Sequence, residues 1–322
     1  MQYRTLGRTG FKISEVGLGA WAMGSQWGPI DDDESVSTIK KAIELGCNFI
    51  DTAFAYGEGR SEQVIARAFK EMGKRVLVAT KVPPKNRIWP ATQDMHISAV
   101  YPRAYIRESV EASLHNLQTD CIDLIQLHTW TDKWCDQTEW LDELEKLKKE
   151  GKIKFYGVSI GESGRDGLEV AKRGMVDSIQ VIYNIFNQHP HDWLFPHCKK
   201  QNIGILARVP FDEGSLTGKF TKDTTFVQGD FRNQYFEGTK LSETVRRVEP
   251  LKQILIRSEI TTLAVGALKF CLSHPAVSTV IPGMRTVNQA IANCSASDGI
   301  LLKPEELELL KQHAWERDFY SS

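Results

Sequence analysis

The segment "NFIDTAFAYGEGRSEQVIARAFKEMG", residues 48–73, holds one complete strand–loop–helix unit. Its first six residues form an apolar, β-rich run, typical of a strand buried on both faces of a parallel sheet. A Gly-rich bend follows. From Ser61, a good helix N-cap, apolar residues recur at helical spacing as far as Gly73. The segment therefore predicts a buried β-strand that leads through a short loop into an amphipathic helix.

The same order of strand and helix recurs along the chain. Helical patterns separate the apolar runs, and with the first segment these runs make eight predicted strands. Because alternating strands and helices build a parallel sheet, eight such units predict a closed (β/α)8 TIM barrel. The other seven predicted strands are EVGLG at 15–19, VLVATKV at 76–82, IDLIQLH at 122–128, IKFYGVSI at 153–160, SIQVIYN at 178–184, GILARVP at 204–210 and STVIPG at 278–283.

An open doubly wound sheet is the competing architecture. Such a sheet usually carries a Gly-rich fingerprint after its first strand, but the GxG at Gly17 and Gly19 lacks the later glycine. Turn residues at Gly7, Arg8 and Gly10 instead predict an N-terminal hairpin that plugs the bottom of the barrel. Since no linker or low-complexity tract interrupts the pattern, residues 1–322 are predicted to form a single domain.

Two long irregular stretches follow predicted strands. Residues 83–100 are too rich in proline for a helix, and residues 211–240 are rich in glycine and threonine. Long loops in compact domains are usually functional or mobile, and strand-to-helix loops surround the active-site face of a barrel. Both stretches are therefore expected at a functional rim.

Composition excludes several functional classes. The 322 residues are 41% hydrophobic and 25% charged, and 40 Lys and Arg balance 41 Asp and Glu. A formal charge of −1 gives no electrostatic reason to expect nucleic acid or an anionic membrane as a partner. There is no signal-peptide pattern and no run of about 18 apolar residues. The six cysteines form no CxxC pair, which indicates reduced thiols and a cytoplasmic location.

Four chemically distinctive residues cluster at predicted strand ends. Asp51 ends the second strand, Tyr56 lies in the loop beyond it, Lys81 ends the third strand and His128 ends the fourth. Because the carboxyl ends of parallel strands share one rim, these side chains are expected to lie together.

This combination suits proton transfer to a carbonyl oxygen. A free tyrosine has a pKa of about 10, and a nearby ammonium such as Lys81 stabilises the phenolate and lowers that pKa. Asp51 is expected to keep Lys81 charged, and His128 to hydrogen-bond the carbonyl oxygen. A structural Asp51–Lys81 salt bridge beside a packing tyrosine is the alternative interpretation.

Five motifs in order carry a family resemblance. They are DTAxxYGxGxSE, TKV, DLIQLH, GVS and IPGxR, and together they span the chain. The sequence resembles the aldo-keto reductases, particularly the bacterial and potassium-channel-beta-subunit-like branches. The resemblance implies a TIM barrel and hydride transfer from NADPH to a small aldehyde, ketone or sugar carbonyl. It assigns the catalytic tetrad to Asp51, Tyr56, Lys81 and His128, with Tyr56 as general acid.

The resemblance also implies a cofactor site for NADP(H). Ser159 and Gln180 match residues that hold the nicotinamide carboxamide, whereas Arg208 replaces the usual stacking aromatic. Arg285 opens the last barrel helix, where free backbone N–H groups suit the 2′-phosphate, so NADPH is expected over NADH. The other implied cofactor contacts are the pyrophosphate clasp at Gly214, Ser215, Leu216 and Lys219, the adenine contacts Gln289 and Asn293, and Trp21, Asp51, Pro210, Phe211 and Gly283.

Aromatic residues on the rim loops indicate a substrate pocket. Trp21, Phe54, Trp89 and Trp130 all fall there and favour an apolar or sugar-stacking ligand. The histidines of "NQHPHDW" and His197 lack the spacing of a metal site, so no metal is expected.

Three alternatives stay open at this point. The chain could be a cofactor-binding regulatory subunit with little turnover, or a dehydrogenase that works in the oxidative direction. A barrel hydrolase or lyase needs paired carboxylates, and the candidate rim set contains only Asp51.

Overall fold

The computed structural model describes residues 1–24, 28, 30–161, 165–317 and 319–320. Eight parallel strands form one sheet in chain order, each hydrogen-bonded to the next, which confirms the predicted fold class. They are β3 (Leu18–Gly19), β4 (Phe49–Asp51), β5 (Leu77–Val82), β6 (Ile122–Leu127), β7 (Ile153–Ser159), β8 (Ser178–Ile182), β9 (Gly204–Arg208) and β10 (Val277–Val280); β1 (Tyr3–Thr5) and β2 (Lys12–Ser14) form a separate hairpin.

Backbone hydrogen bonds between the first and last strands close the barrel. Gly17 N donates to Val280 O at 2.9 Å, and Gly19 N donates to Pro282 O at 2.9 Å. A Cβ at Gly19 would lie 2.7 Å from Ile281 O, so the seam needs a residue without a side chain. The glycines before the first helix thus serve barrel closure.

The N-terminal hairpin covers the bottom of the barrel, as predicted. Leu6 and Ile13 are fully buried and pack in one cluster with Phe49, Leu124 and Leu206, which alternate into the barrel interior. This apolar layer separates the hairpin from the polar residues at the opposite rim.

Helices cover the outside of the barrel. The predicted helical patterns all contain helices, but no helix was predicted over 240–255, where Pro250 interrupts the pattern. The helices are α1 (Asp32–Glu44), α2 (Arg60–Met72), α3 (Ile97–Val100), α4 (Arg103–Leu117), α5 (Glu139–Lys149), α6 (Leu168–Lys172), α7 (Pro190–Trp193), α8 (Phe195–Lys200), α9 (Arg232–Tyr235), α10 (Lys240–Leu255), α11 (Leu263–Ser273), α12 (Val287–Cys294) and α13 (Pro304–Lys311). None of those described is long and apolar enough to cross a membrane.

The bend between β4 and α2 differs from its prediction. Ser61 is not the N-cap, because α2 already begins at Arg60 after Gly59, whose φ is 92°. Instead, Ser61 Oγ donates to Ala20 O at 3.0 Å and accepts from Thr52 Oγ1 at 2.8 Å. The serine therefore ties the start of α2 to the end of β4 and fixes the intervening bend.

The two long loops are only partly irregular. Residues 83–100 end in α3, and residues 211–240 contain α9 and a 3-10 segment over Asp212–Thr217. Both lie at the carboxyl ends of the strands, where the candidate site is found.

Candidate active site

A layer of polar side chains lies above the apolar bottom of the barrel. Asp51, Lys81 and Gln126 each stand two residues beyond an inward apolar residue of the same strand, so strand alternation points them inward as well. Gln180 joins them from β8, and all four are buried.

Lys81 is the centre of this layer. Its ammonium, which has no exposed surface, donates to Asp51 Oδ2 and to Thr52 O, both at 2.7 Å, and lies 3.4 Å from Tyr56 Oη. Burial alone would lower the pKa of Lys81, but Asp51 and Tyr56 outweigh it and the pKa is raised. The lysine is therefore charged, as predicted from the sequence.

Asp51 is held from both sides. Its Oδ1 accepts from Gln180 Nε2 at 2.7 Å and from Gln126 Nε2 at 3.4 Å, while Oδ2 faces Lys81. Both oxygens bind protein groups, and the contact of Asp51 with a cofactor stays a prediction. Gln126 was not predicted, although its position two residues before His128 was the available signal.

Tyr56 carries a phenol rather than a phenolate. Burial raises its pKa, and the opposing effect of Lys81 only partly offsets that increase. The expected lowering of this pKa is therefore wrong, because the sequence gives no measure of burial. A protonated hydroxyl 3.4 Å from an ammonium can donate a proton.

His128 stands beside Tyr56 as a neutral imidazole. The two ring centroids are 5.6 Å apart in an edge-on arrangement. Burial, with repulsion from Lys81 and Arg208, holds the pKa of His128 well below 6.5. Its Nδ1 is buried, and no partner for it is found in the described part of the chain.

Aromatic rings border Tyr56 and His128. Trp21 lies 6.3 Å from Tyr56, and Trp89 lies 5.8 Å from His128, between ring centroids. Phe231, which was not predicted, packs 5.0 Å from Trp21 between ring centroids. Phe54 is partly exposed in the bend that precedes Tyr56.

Trp130 does not belong to this border. Only 1% of it is exposed, and its ring packs 4.9 Å from Trp140 and 5.8 Å from Trp134. Its assignment to the substrate pocket is wrong, because the residue turns into the core beneath the rim.

The histidines near α7 form no metal site. The rings of His191 and His274 are 4.4 Å apart. Over residues 1–24, 28, 30–161, 165–317 and 319–320, no three His, Cys, Asp or Glu side chains are placed to hold a metal ion.

Three predicted cofactor residues lie side by side at the ends of β7, β8 and β9. Ser159 pairs with Gln180, and Ile182 pairs with Arg208 across the sheet. The Nη2 of Arg208 donates to Ile160 O at 3.0 Å, and its Nε is buried without a partner among the described residues. Since Gln180 Nε2 uses one of its two N–H groups on Asp51, the other N–H and Oε1 are left for a ligand.

The loop after β9 has an unusual backbone. Val209, Asp212 and Glu213 all have φ near +50°, and Gly214 has φ of 102°. Non-glycine residues in this region are strained, and such strain is concentrated at functional sites. Of the residues implied to form the pyrophosphate clasp, Ser215 and Leu216 are buried, whereas Lys219 is exposed. Ser215 Oγ donates to Asp212 Oδ2 at 2.6 Å. Pro210 is buried and Phe211 partly exposed.

The C-terminal segment is hydrogen-bonded to this loop. Arg317 donates to the Asp212 carboxylate, which also accepts from Tyr235 Oη at 3.0 Å. Tyr320 Oη donates to the carboxyl of Glu213, and burial raises the pKa of Glu213 to about 7. No motif in the sequence indicated this contact, because it joins segments about a hundred residues apart.

The start of α12 departs from expectation. Its Val287 N donates to Glu34 Oε1 at 3.1 Å, and Arg285 N donates to Gln289 Oε1 at 2.7 Å. Two backbone N–H groups at this end are therefore engaged, those of Val287 and Arg285. Asn293 Nδ2 donates to Gly283 O at 3.3 Å, so both implied adenine contacts bind backbone.

Comparisons agree with this geometry. The Aldo/keto reductase family model matches residues 15–314. The chain is 32% identical over 327 residues to the uncharacterized oxidoreductase YqkF of Bacillus subtilis (strain 168), covering 100% of this chain and 99% of the relative. It is 30% identical to a probable voltage-gated potassium channel subunit beta of Oryza sativa subsp. japonica, covering 97% and 96%.

The solved structure of the glycerol dehydrogenase AKR11B4 from Gluconobacter oxydans has a TM-score of 0.79 and 30% identity, covering 97% of this chain and 94% of that one. The family model spans nearly the whole chain, and the strand-end residues lie together at one rim of the barrel. The protein therefore belongs to the aldo/keto reductase family.

Proposed function

We propose that the protein is an NADPH-dependent oxidoreductase that reduces an aldehyde or ketone carbonyl to an alcohol. The observation that carries this proposal is the buried chain from Asp51 through Lys81 to Tyr56, with neutral His128 beside the phenol. A structural salt bridge needs neither a protonated tyrosine at its open end nor an adjacent uncharged imidazole.

The residues present fit a nicotinamide cofactor. Ser159 and Gln180 are register partners at the ends of β7 and β8, and the buried Nε of Arg208 lacks a partner among the described residues. Ser159 and Gln180 would hold the carboxamide, and the flat guanidinium of Arg208 would lie against the ring. When bound, NADPH supplies the hydride for the carbonyl carbon.

The chain's own residues provide the proton and the orientation. Tyr56 donates its proton to the carbonyl oxygen, which becomes a stronger base than a phenolate as the alcohol forms. The charged Lys81 stabilises the phenolate left behind, and Asp51 keeps Lys81 charged and in place. Neutral His128 can donate one N–H to the same oxygen without competing for the proton.

Trp21 and Trp89 flank Tyr56 and His128 and limit access of water to them. Exclusion of water strengthens the electrostatic effect of Lys81, because the local dielectric constant falls. Both rings therefore support the chemistry without taking part in it.

A regulatory subunit with little turnover is the second candidate, favoured by the similarity to a relative named as a potassium channel subunit. Such a subunit would bind NADPH but would have no need for a protonated Tyr56 next to Lys81. Turnover separates the two candidates.

The test is NADPH oxidation by the purified protein with a panel of aldehydes, ketones and sugars, for the wild type and Tyr56→Phe. We expect the variant to lose about 10²–10⁴-fold in kcat, because the general acid is removed, with a Kd for NADPH within twofold of the wild type.

The matched control is Tyr3→Phe, which removes a hydroxyl that donates to Gly46 O at the opposite end of the barrel. Its kcat should equal that of the wild type. NADPH binding without turnover on any carbonyl would contradict the reductase and favour the regulatory subunit.

A further inference from the structure

Aromatic residues join the C-terminal segment, which follows α13, to the long loop after β9. Tyr235 and Phe236 of that loop are buried with Phe319 in an apolar cluster that is separate from the main core. The ring of Tyr235 lies 5.3 Å from that of Phe319 and 4.9 Å from that of Tyr320, between centroids. The C-terminal segment is therefore packed as part of the rim.

Trp315 anchors this segment on the barrel. Its N donates to Phe186 O at 2.8 Å, and two guanidinium groups lie close to its ring centroid, that of Arg247 at 4.3 Å and that of Arg317 at 4.4 Å. Such cation–π contacts are favourable. Only 8% of the Arg317 side chain is exposed, so the anchored segment directs this guanidinium into the protein.

The loop after β9 begins directly after Arg208, and its first residues have a conformation that their side chains disfavour. Val209, Asp212 and Glu213 have φ of 54°, 48° and 54°. A β-branched residue such as valine rarely occupies this left-handed region. The conformation therefore persists only because surrounding contacts impose it.

Two of those contacts come from the C-terminal segment. The buried Asp212 carboxylate accepts from Arg317, and also from Tyr235 Oη at 3.0 Å. Tyr320 Oη donates to the carboxyl of Glu213, which is buried as well. Because a buried polar group that loses its partner is costly, these bonds favour the left-handed conformation of both loop residues.

The same contacts lie close to the proposed cofactor site. Burial raises the pKa of Tyr320, and the charge of Arg208 opposes that rise. Burial likewise raises the pKa of Glu213 to about 7, again against the effect of Arg208. The guanidinium assigned to the nicotinamide ring therefore acts on both side chains of the Tyr320–Glu213 hydrogen bond.

We propose that Arg317 and Tyr320 are positioning residues for the cofactor, which hold Asp212 and Glu213 so that the loop after Arg208 is already shaped for NADPH before it binds. Preorganisation increases affinity, because the loop then loses less conformational freedom on binding. Neither residue has to touch the reacting atoms, so kcat at saturating NADPH should not fall in their variants. This inference rests on the cofactor of the proposed function and is independent of carbonyl reduction.

The test is the Kd of NADPH, measured by fluorescence titration of the whole chain. Arg317→Met removes the donors to Asp212 and should raise Kd about tenfold, and Tyr320→Phe should raise it about threefold. Arg317→Lys, which keeps the charge, should recover part of the loss. The control is Arg173→Met, which removes an exposed guanidinium paired with Asp136 and should leave Kd unchanged.

A double variant separates positioning from direct contact with the cofactor. If Arg317 acts through Asp212, Arg317→Met combined with Asp212→Asn should bind NADPH no more weakly than Arg317→Met alone. Losses that multiply in the double variant would mean that Arg317 contacts NADPH itself, and they would overturn the inference.

Hydrogen exchange of the cofactor-free protein, followed by mass spectrometry, provides a readout without NADPH. Amides of residues 209–217 should exchange about tenfold faster in Arg317→Met and faster in Tyr320→Phe. Unchanged exchange in α4 would show that both variants are folded. Exchange in the loop that matches the wild type in both variants overturns the inference.

The outcomes also keep this inference apart from the reductase proposal. A wild type that binds NADPH and reduces no carbonyl would refute the reductase, while the Kd values would still decide the role of Arg317 and Tyr320. Kd values within twofold of the wild type in both variants overturn that role, as does a wild type that does not bind NADPH.

Discussion

At the scale of single residues, the site depends on opposed effects of burial and charge. Burial raises the pKa of Tyr56 and lowers that of His128, whereas the carboxylate of Asp51 reverses the effect of burial on Lys81. The outcome is a neutral phenol beside one retained cation, with a neutral imidazole next to the phenol. The sequence predicted which residues lie together. It did not predict that the pKa of Tyr56 is raised, because that direction depends on how deeply the phenol is buried.

Glu213 gives a prediction at the same scale. Its pKa rises from 4.5 to about 7 on folding, so between these values the folded protein keeps a proton that the unfolded chain has lost. Stability from this group is present below pH 4.5 and is lost as pH rises through 7, by up to about 3 kcal/mol. Glu213→Gln should gain stability relative to the wild type between pH 5 and pH 8, measured from urea unfolding curves.

Other groups also titrate in this interval, so the quantity to compare is the difference between wild type and variant at each pH. Glu316→Gln, which changes an exposed carboxylate in the same C-terminal segment, serves as the control. Parallel pH curves for the wild type and Glu213→Gln would show that Glu213 has an ordinary pKa.

At the scale of elements, local patterns accounted for most strands and helices because the strands are buried on both faces and the helices on one. Local patterns failed where packing between segments distant in sequence decides the conformation. α10 forms despite Pro250 because Leu251 and Leu255 are fully buried, and Trp130 turns inward because Trp134 and Trp140 surround it. The hydrogen bonds between the C-terminal segment and the loop after β9 likewise had no local signal in the sequence.

The meeting of α1 and α12 gives a prediction at this scale. Glu34 places a carboxylate at the N-terminus of α12, where it accepts from Val287 N and competes with any phosphate. Glu34→Gln should therefore tighten NADPH binding about two- to fivefold, the effect typical of one charge at a helix end, and leave NADH unchanged.

Kd values from fluorescence titration with both cofactors would measure this change. Glu44→Gln, at the other end of α1, removes the same charge and should alter neither Kd. Equal effects of Glu34→Gln on both cofactors would place the 2′-phosphate elsewhere.

At the scale of the whole molecule, the two ends of the barrel differ in polarity. The hairpin and its apolar layer occupy one end, and the polar layer with the loops occupies the other. The sequence predicted this division, since strand order alone places all eight carboxyl ends on one rim. It could not predict the cavity of about 890 Å³ at this rim, whose lining comes from six separate segments of the chain.

The hairpin should contribute stability without affecting catalysis. Leu6→Ala removes a fully buried side chain from the bottom cluster and should cost about 2–5 kcal/mol in the free energy of unfolding. Urea unfolding measures that loss, and kcat/KM on the best substrate should be unchanged at a temperature where the variant stays folded.

Lys12→Ala, exposed on the same hairpin, is the comparison and should be nearly neutral. A loss below about 1 kcal/mol for Leu6→Ala would mean that the hairpin unfolds separately from the barrel.

The enclosure of Lys81 also has a practical consequence for chemical labelling. An amine that has no exposed surface, and whose protons are shared among Asp51, Thr52 and Tyr56, is neither accessible nor nucleophilic. Acylating reagents should modify the outer lysines of the native protein and spare this one. Acylation of Lys81 would then report that the barrel itself has opened, and mass spectrometry could follow that event without any substrate.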